Sequence, residues 1–367
     1  MLARFAGTMP AIFFCGHWYI EQSVDISLLQ SNLSRLKTLA LLFVLLAAGA
    51  CGRGSFEKKE YVYVAATQVR MRDRLAQVFN TVATPKNGDK LEVLERQKRF
   101  VRVKNADGQE GWVEQRYLIG EDVFQQFQKL SADHSRTASQ GQGITRSEVN
   151  MHITPERDSP KLYQLHENAK LEVLQRASSE KPAKLVHTPP KPAKAGEPPP
   201  PKPMEDWWLV RSQSRVGWVL ARMIDLDVPL EVAQYAEGDR IMACFVLSEV
   251  DDPQLGKKVP QYLMLLSEPK DGQPFDYNQA RVFTWNLKRH RYETAYRERG
   301  LYGKFPVTVG QESFGTEGTL PTFTLRVLGE KGNVLERKYK LNQPIVRRVA
   351  AEGQDEAMAK LPGARKK

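Results

Sequence analysis

One segment of roughly sixty residues is written twice in this chain, and that duplication limits the available folds more than any other feature. Val69-Arg70-Met71-Arg72 recurs as Val149-Asn150-Met151-His152, 80 residues later. The run from Gly88 to Arg96 (GDKLEVLER) recurs as Asn168 to Arg176 (NAKLEVLQR) at the same offset. Phe100-Val101-Arg102-Val103 then matches Trp207-Trp208-Leu209-Val210, and Gly111-Trp112-Val113 matches Gly217-Trp218-Val219. The offset has grown to 107 at the first of these and 106 at the second, so the second copy carries an insertion after Arg176.

Within each copy, alternating apolar positions such as Leu91, Val93, Val101 and Val103 are those of half-buried strands. Asn87-Gly88-Asp89 and Asp107-Gly108 are turn signals between them. About five short strands in so few residues hide their apolar side only by curling into a small barrel. The predicted fold class is therefore all-β, with two small barrels over residues 61–119 and 143–226.

Taken in order, the V-x-M-R strand, the G-D-K-L-E-V-L strand, the aromatic-plus-valine strand and the D-G-x-x-G-W-V hairpin, closed by Tyr117-Leu118, resemble bacterial SH3-like (SH3b) domains. The second copy departs at His152, where the family's arginine falls. The resemblance implies binding of cell-wall peptides or other envelope ligands. Phe100, Tyr117, Trp207 and Trp208, with Arg72, Arg102 and Arg116 beside them, are the candidate contacts, because aromatic faces flanked by guanidinium groups hold anionic peptides or glycans. Trp112 and Trp218 read as barrel filling. Trp207 and Trp208 are adjacent, so on a strand they point to opposite faces. One of the two rings is therefore expected outside the barrel, as the best single contact candidate.

Upstream, Arg35 and Lys37 precede an uninterrupted apolar run over residues 39–50, too short to span a bilayer but suited to a secretory signal. The run ends Leu46-Ala47-Ala48-Gly49-Ala50-Cys51, which resembles a bacterial lipobox. That resemblance implies cleavage before Cys51, lipidation of Cys51 and an exported, membrane-anchored protein of the cell envelope. Simple secretion is the alternative. Residues 1–50 read as leader, and 1–34 as sequence ahead of the true start.

Nine of the 22 prolines fall between Pro182 and Pro203. The insertion 177–206 accordingly reads as a proline- and lysine-rich excursion with polyproline character. Residues 121–130 show helical spacing through Val123, Phe124, Phe127 and Leu130, which predicts a short helix on the first barrel. A polar linker is expected over the rest of 120–142. Residues 231–347 show seven strand-like runs (241–247, 262–266, 280–285, 292–296, 305–309, 323–327 and 334–339), which suggests a β-sandwich or barrel-like C-terminal domain. A disordered tail is expected over 348–367.

The net charge of +11 favours anionic partners. No block of lysine and arginine of the kind that binds nucleic acid is present, so the expected partners are cell-wall peptidoglycan or envelope proteins, with the membrane reached through the lipid anchor. No motif calls for a cofactor or a metal. Beyond Cys15 and Cys51 the chain has only Cys244, set in an apolar run, and His290 is the one histidine in its domain. Nucleophilic catalysis needs an activated thiol beside a base. The chain is expected to be a binding protein and no enzyme, the alternative being a peptidoglycan hydrolase or hydrolase regulator with an unrecognised C-terminal site.

Overall fold

The computed structural model describes residues 59–182, 185, 202–329 and 332–350. The leader, Cys51, most of the proline-rich insertion and residues 351–367 lie outside the described residues. The described residues belong to one compact unit.

The architecture is all-β, in three antiparallel seven-stranded sheets. The first contains β1 (Tyr61–Val64), β2 (Met71–Arg72), β3 (Thr81–Ala83), β4 (Lys90–Gln97), β5 (Phe100–Lys104), β6 (Glu110–Glu114) and β7 (Leu118–Gly120), in the order β3-β2-β6-β5-β4-β1-β7. The second contains β8 (Gly141–Thr145), β9 (Val149–His152), β10 (Lys161–Leu165), β11 (Lys170–Glu180), β12 (Met204–Ser212), β13 (Arg215–Leu220) and β14 (Ile224–Leu226), in the order β10-β9-β13-β12-β11-β8-β14. Position for position, this is the order of the first sheet.

The register repeats as well. Arg102 lies opposite Trp112 in the first sheet, and Leu209 lies opposite Trp218 in the second. Val62 pairs with Gly120, and Gly143 pairs with Leu226. In the first sheet Val62, Met71, Leu91, Val101, Val103 and Val113, drawn from five strands, meet in a single buried cluster, which requires the sheet to curl around them. The glycine of each Gly-Trp-Val has a steric reason. A Cβ on Gly111 would stand 2.9 Å from the Arg72 carbonyl oxygen, and one on Gly217 would stand 2.8 Å from the Met151 Cβ. Both strands cross too closely there for any side chain.

The predicted helix forms as α1 (Glu121–Asp133), but it does not belong to the first barrel alone. Phe124 stacks on Tyr63 of β1 with ring centroids 3.8 Å apart, whereas Phe127 meets the edge of Tyr163 of β10 at 5.4 Å. One helical stripe thus serves both barrels. The linker expected through residue 142 is also structured. Arg211 donates to the carbonyl oxygens of His134, Ser135 and Thr137, gathering the acceptors left over at the helix end. Gln140 is buried and accepts the Val307 N–H at 2.7 Å, and Gly141 already opens β8.

The insertion begins as a longer hairpin. Residues 177–180 pair with 204–207, from Ala177 opposite Trp207 to Glu180 opposite Met204. Its proline-rich centre lies outside the described residues.

After the short α2 (Leu230–Ala233), the third sheet is a sequential meander of β15 (Arg240–Asp252), β16 (Lys257–Ser267), β17 (Tyr277–Asn286), β18 (Arg291–Ser313), β19 (Thr319–Leu328), β20 (Val334–Asn342) and β21 (Ile345–Arg348). Two runs expected as separate strands, 292–296 and 305–309, are parts of the single long β18. The seventh strand is instead β21, and Val349 N still donates to the Lys338 carbonyl, so the sheet extends past residue 347 into the expected tail.

The third sheet docks on the second barrel through a buried ionic seam. Arg176, with its side chain 4% exposed, donates to Asp206 at 2.8 Å and to the carbonyl oxygens of Gln273 and Phe275 at 3.1 and 2.7 Å. Asp206 also accepts Ser178 Oγ, the Gly272 N–H and Arg240. Among the described residues, the equivalent residue in the first copy, Arg96, makes only an exposed pair with Glu60.

At the far end of the third sheet, Asp252 accepts Trp285 Nε1 and the N–H groups of Gln254 and Leu255, and His290 Nδ1 lies 2.7 Å from its Oδ2. Burial alone would raise the Asp252 pKa, but the hydrogen bonds from Trp285, His290 and the two backbone donors outweigh it and hold the value at about 2. The folded-state pKa is thus below the unfolded value of about 4. The stabilisation is present above pH ~4 and lost as pH falls towards 2. The melting temperature is expected to drop across that window, and Asp252→Asn is expected to flatten that limb of the pH profile. An unchanged acid limb in the variant would show that the bonds to Asp252 contribute nothing.

Candidate functional site

Because the two barrels share one register, each outward residue of one has a counterpart in the other. On the first barrel, the outer face of β2, β6 and β5 presents Arg72, Trp112, Glu114, Phe100, Arg102 and Glu110. Val101, Val103 and Val113 alternate with them into the core. On the second barrel the counterparts of Leu94, Arg102, Glu110 and Trp112 are Leu174, Leu209, Val216 and Trp218. The first three are fully buried, and Leu130 of α1 packs over the group. Ser131 Oγ of the same helix accepts the Val216 N–H at 3.1 Å. One copy therefore has an apolar outer face lidded by α1, and the other has a charged, aromatic face that no element of the described residues covers.

That open face is a cation–aromatic lattice. The Arg72 guanidinium lies 4.2 Å from the centroid of Phe79 and 5.2 Å from that of Phe100, and it reaches Glu114 at 3.1 Å. Arg116 pairs with the other oxygen of Glu114 at 2.9 Å and lies 4.7 Å over Tyr117. Arg102 pairs with Glu110 at 3.0 Å, with both side chains exposed. Exposed pairs of this kind contribute about 0–1 kcal/mol. Glu110 is therefore a weak internal partner that an incoming anion can replace, whereas Glu114, its side chain 15% exposed, holds Arg72 and Arg116 in place, and half-buried Phe79, Phe100 and Trp112 supply flat apolar area beneath. Of the residues expected at the site, the structure brings Phe100, Tyr117, Arg72, Arg102 and Arg116 to this barrel surface. Phe79 was missed, because its segment shows no alternation; its aromatic character was the one signal that could have found it.

Trp207 and Trp208 do not join this site. They point to opposite faces as expected, but neither ring is exposed, at 0% and 4%. Trp208 enters the interior cluster with Val173, Val210 and Val219 and comes within 6.2 Å of Phe305 of the third sheet. Trp207 faces outward onto His152, at 5.2 Å, and its Nε1 donates to Ser179 Oγ. The next outward residue on that strand, Glu205, is sealed by a two-pronged bond from Arg157. The outer ring is buried because the extended hairpin and the segment carrying Arg157 cover it, which corrects its reading as the leading contact. The His152–Trp207 contact replaces the Arg72–Phe100 contact of the first copy.

Cys244 lies among apolar neighbours with Val232, Tyr262 and Met264, and burial pushes its thiol up to about 12, so it is protonated at neutral pH. His290 is engaged with Asp252. Among the described residues no group of three histidine, cysteine, aspartate or glutamate side chains is placed to hold a metal ion.

No curated protein matches this chain. Among solved structures, it is similar to NlpC2 from Trichomonas vaginalis, with 8% identity over 80% of this chain and 97% of that one, at a TM-score of 0.16. NlpC1 from the same organism aligns at 7% identity over 80% and 92%, TM-score 0.17. An NlpC/P60 family protein from Bacillus cereus aligns at 10% identity over 77% and 95%, TM-score 0.22. Likeness at these scores carries no argument about fold or activity. Residues 79–119, which hold most of the open face from Phe79 through Phe100, Trp112 and Tyr117, match the bacterial SH3 domain.

Proposed function

We propose that this chain is a non-catalytic protein of the bacterial cell envelope that binds an anionic wall peptide or glycan strand on the open face of its first barrel. The observation that carries this reading is the asymmetry of the duplication: the face with arginines beside aromatic rings lies, Arg72 apart, within the SH3-matching segment, and it is the one α1 leaves uncovered. Bacterial SH3 domains commonly bind cell-wall peptidoglycan, which supports the choice of ligand. The second barrel is, in this reading, a second SH3-like copy whose outer face has been given over to packing. The lipobox-like end of the leader supports export and a lipid anchor at Cys51, which would hold the barrels near the wall. The protonated thiol of Cys244 and the engagement of His290 elsewhere support the non-catalytic part.

The full chain is expected to pellet with purified sacculi, without releasing soluble muropeptides. Binding is expected to weaken with salt, because Arg102 and Arg116 are exposed. Arg102→Glu, a surface change, and Trp112→Ala are each expected to weaken it about tenfold or more, as for central aromatic and arginine contacts. Undiminished pelleting of Arg102→Glu would remove the proposed face, and release of muropeptides would overturn the non-catalytic reading.

A further inference from the structure

A cleft of about 560 Å³ opens where the second barrel meets the third sheet, away from the face described above. That volume is within the roughly 300–1,000 Å³ typical of small-molecule sites, and seams between packed units are where such sites concentrate. Its floor is apolar, formed by Trp208, Ile224, Ile241 and Ala236. Three arginines, Arg146, Arg222 and Arg240, stand around it.

Two of the three are neutralised within the chain. Arg146 pairs with Asp225 at 2.6 Å. Arg240 pairs with Asp206 at 3.1 Å and Asp271 at 2.9 Å. The remaining carboxylate of the lining, Asp239, accepts Gln279 Nε2 at 2.9 Å and faces the buried Arg281 guanidinium at 4.0 Å. Arg222 is exposed and has no partner among the described residues.

The duplication explains why Arg222 is free. Its counterpart Arg116 holds the same position in the turn after the hairpin, where Glu114 takes its charge and Tyr117 takes its flat face. In the second copy those two positions are Leu220 and Met223. Both partners have been exchanged for apolar residues while the arginine has stayed, and the cleft has formed beside it. A single uncompensated guanidinium over an apolar floor selects an anion with an apolar body, since guanidinium groups bind carboxylates through two parallel hydrogen bonds.

We propose that this cleft binds a small monoanion, an apolar body about the size of a capped dipeptide ending in one carboxylate, with Arg222 on the carboxylate and the Trp208–Ile224–Ile241 floor under the body. The site does not depend on the wall-binding reading of the first barrel.

Calorimetric titration of the full chain with N-acetyl-alanyl-alanine and with its C-terminal amide tests it. The acid is expected to bind saturably, with the amide about tenfold weaker, because only the acid makes the charge-assisted pair. Arg222→Gln is expected to erase the difference between acid and amide. Arg116→Gln is expected to preserve it, and Ala236→Trp, which fills the cleft, to abolish binding of both probes. Equal affinity for acid and amide, absence of saturable acid binding up to about 10 mM, or sensitivity to Arg116→Gln in place of Arg222→Gln would each overturn the proposal. Sedimentation with sacculi is unaffected by Arg222→Gln if the first-barrel reading stands alone, so the two readings fail separately.

Discussion

Arg176→Ala is expected to destabilise the fold by about 3–5 kcal/mol, the scale for removing one partner of a buried, hydrogen-bonded ion pair. The variant leaves Asp206, whose side chain is 2% exposed, with one cation fewer. It also strips the donor from the carbonyl oxygens of Gln273 and Phe275. Buried acceptors without donors keep their full desolvation cost. Arg96→Ala is the internal control, because the same position in the first copy makes, among the described residues, only the exposed bond to Glu60. It should cost roughly 1 kcal/mol or less. Arg176→Lys should recover only part of the loss, since one ammonium does not reproduce a fork that serves a carboxylate and two carbonyl oxygens together. Urea midpoints of the three variants decide the matter. A midpoint for Arg176→Ala equal to that of Arg96→Ala would show that the seam does not hold the third sheet to the second barrel.

The second large effect is expected at Phe127. This side chain is fully buried and meets the edge of Tyr163 across the seam between α1 and β10. Phe127→Ala opens a cavity that the neighbouring sheets close only in part, at about 3–5 kcal/mol. Phe124, one turn earlier on the helix and stacked on Tyr63, remains able to hold the first barrel. The loss should therefore appear mainly where α1 covers the second. Amide exchange is expected to accelerate first in Val216 and Leu209, beneath the helix, before the core of the first barrel around Leu91 and Val101. Uniform acceleration in both barrels would mean that α1 does not divide its contacts in this way.

The strand pattern was readable from sequence because it is local. Leu91, Val101, Val103 and Val113 alternate with polar or aromatic outward residues, and each is an inward position of the first barrel. The aromatic–arginine character of the open face was readable for the same reason. What pattern alone does not carry is which outward face finds a cover. The adjacency of Trp207 and Trp208 fixed their opposite directions but not the burial of both, which depends on Phe305 almost a hundred residues away and on the extended hairpin. The reach of α1 onto the second barrel was missed likewise. Its apolar stripe is visible, but the partners of that stripe, Tyr63 and Tyr163, are a hundred residues apart. The long β18 was read as two strands because its middle, around Arg297 and Arg299, is polar. Those arginines donate to Gln279 on the neighbouring strand, so that part of the ladder is held by side-chain bonds where an apolar run was expected.

Two sheets with one strand order and one register set a hazard during synthesis and refolding, when a strand meets its own neighbour and that neighbour's twin at comparable concentration. Backbone pairing does not tell them apart. The outward residues do. Were β5 to enter the second barrel in place of β12, Arg102 would stand where Leu209 lies, under Leu130 of α1, as a desolvated charge without a carboxylate. The divergence of the two outer faces thus keeps the twins from exchanging parts, and a variant that made the first face as oily as the second would be expected to lose that protection before it lost its native stability.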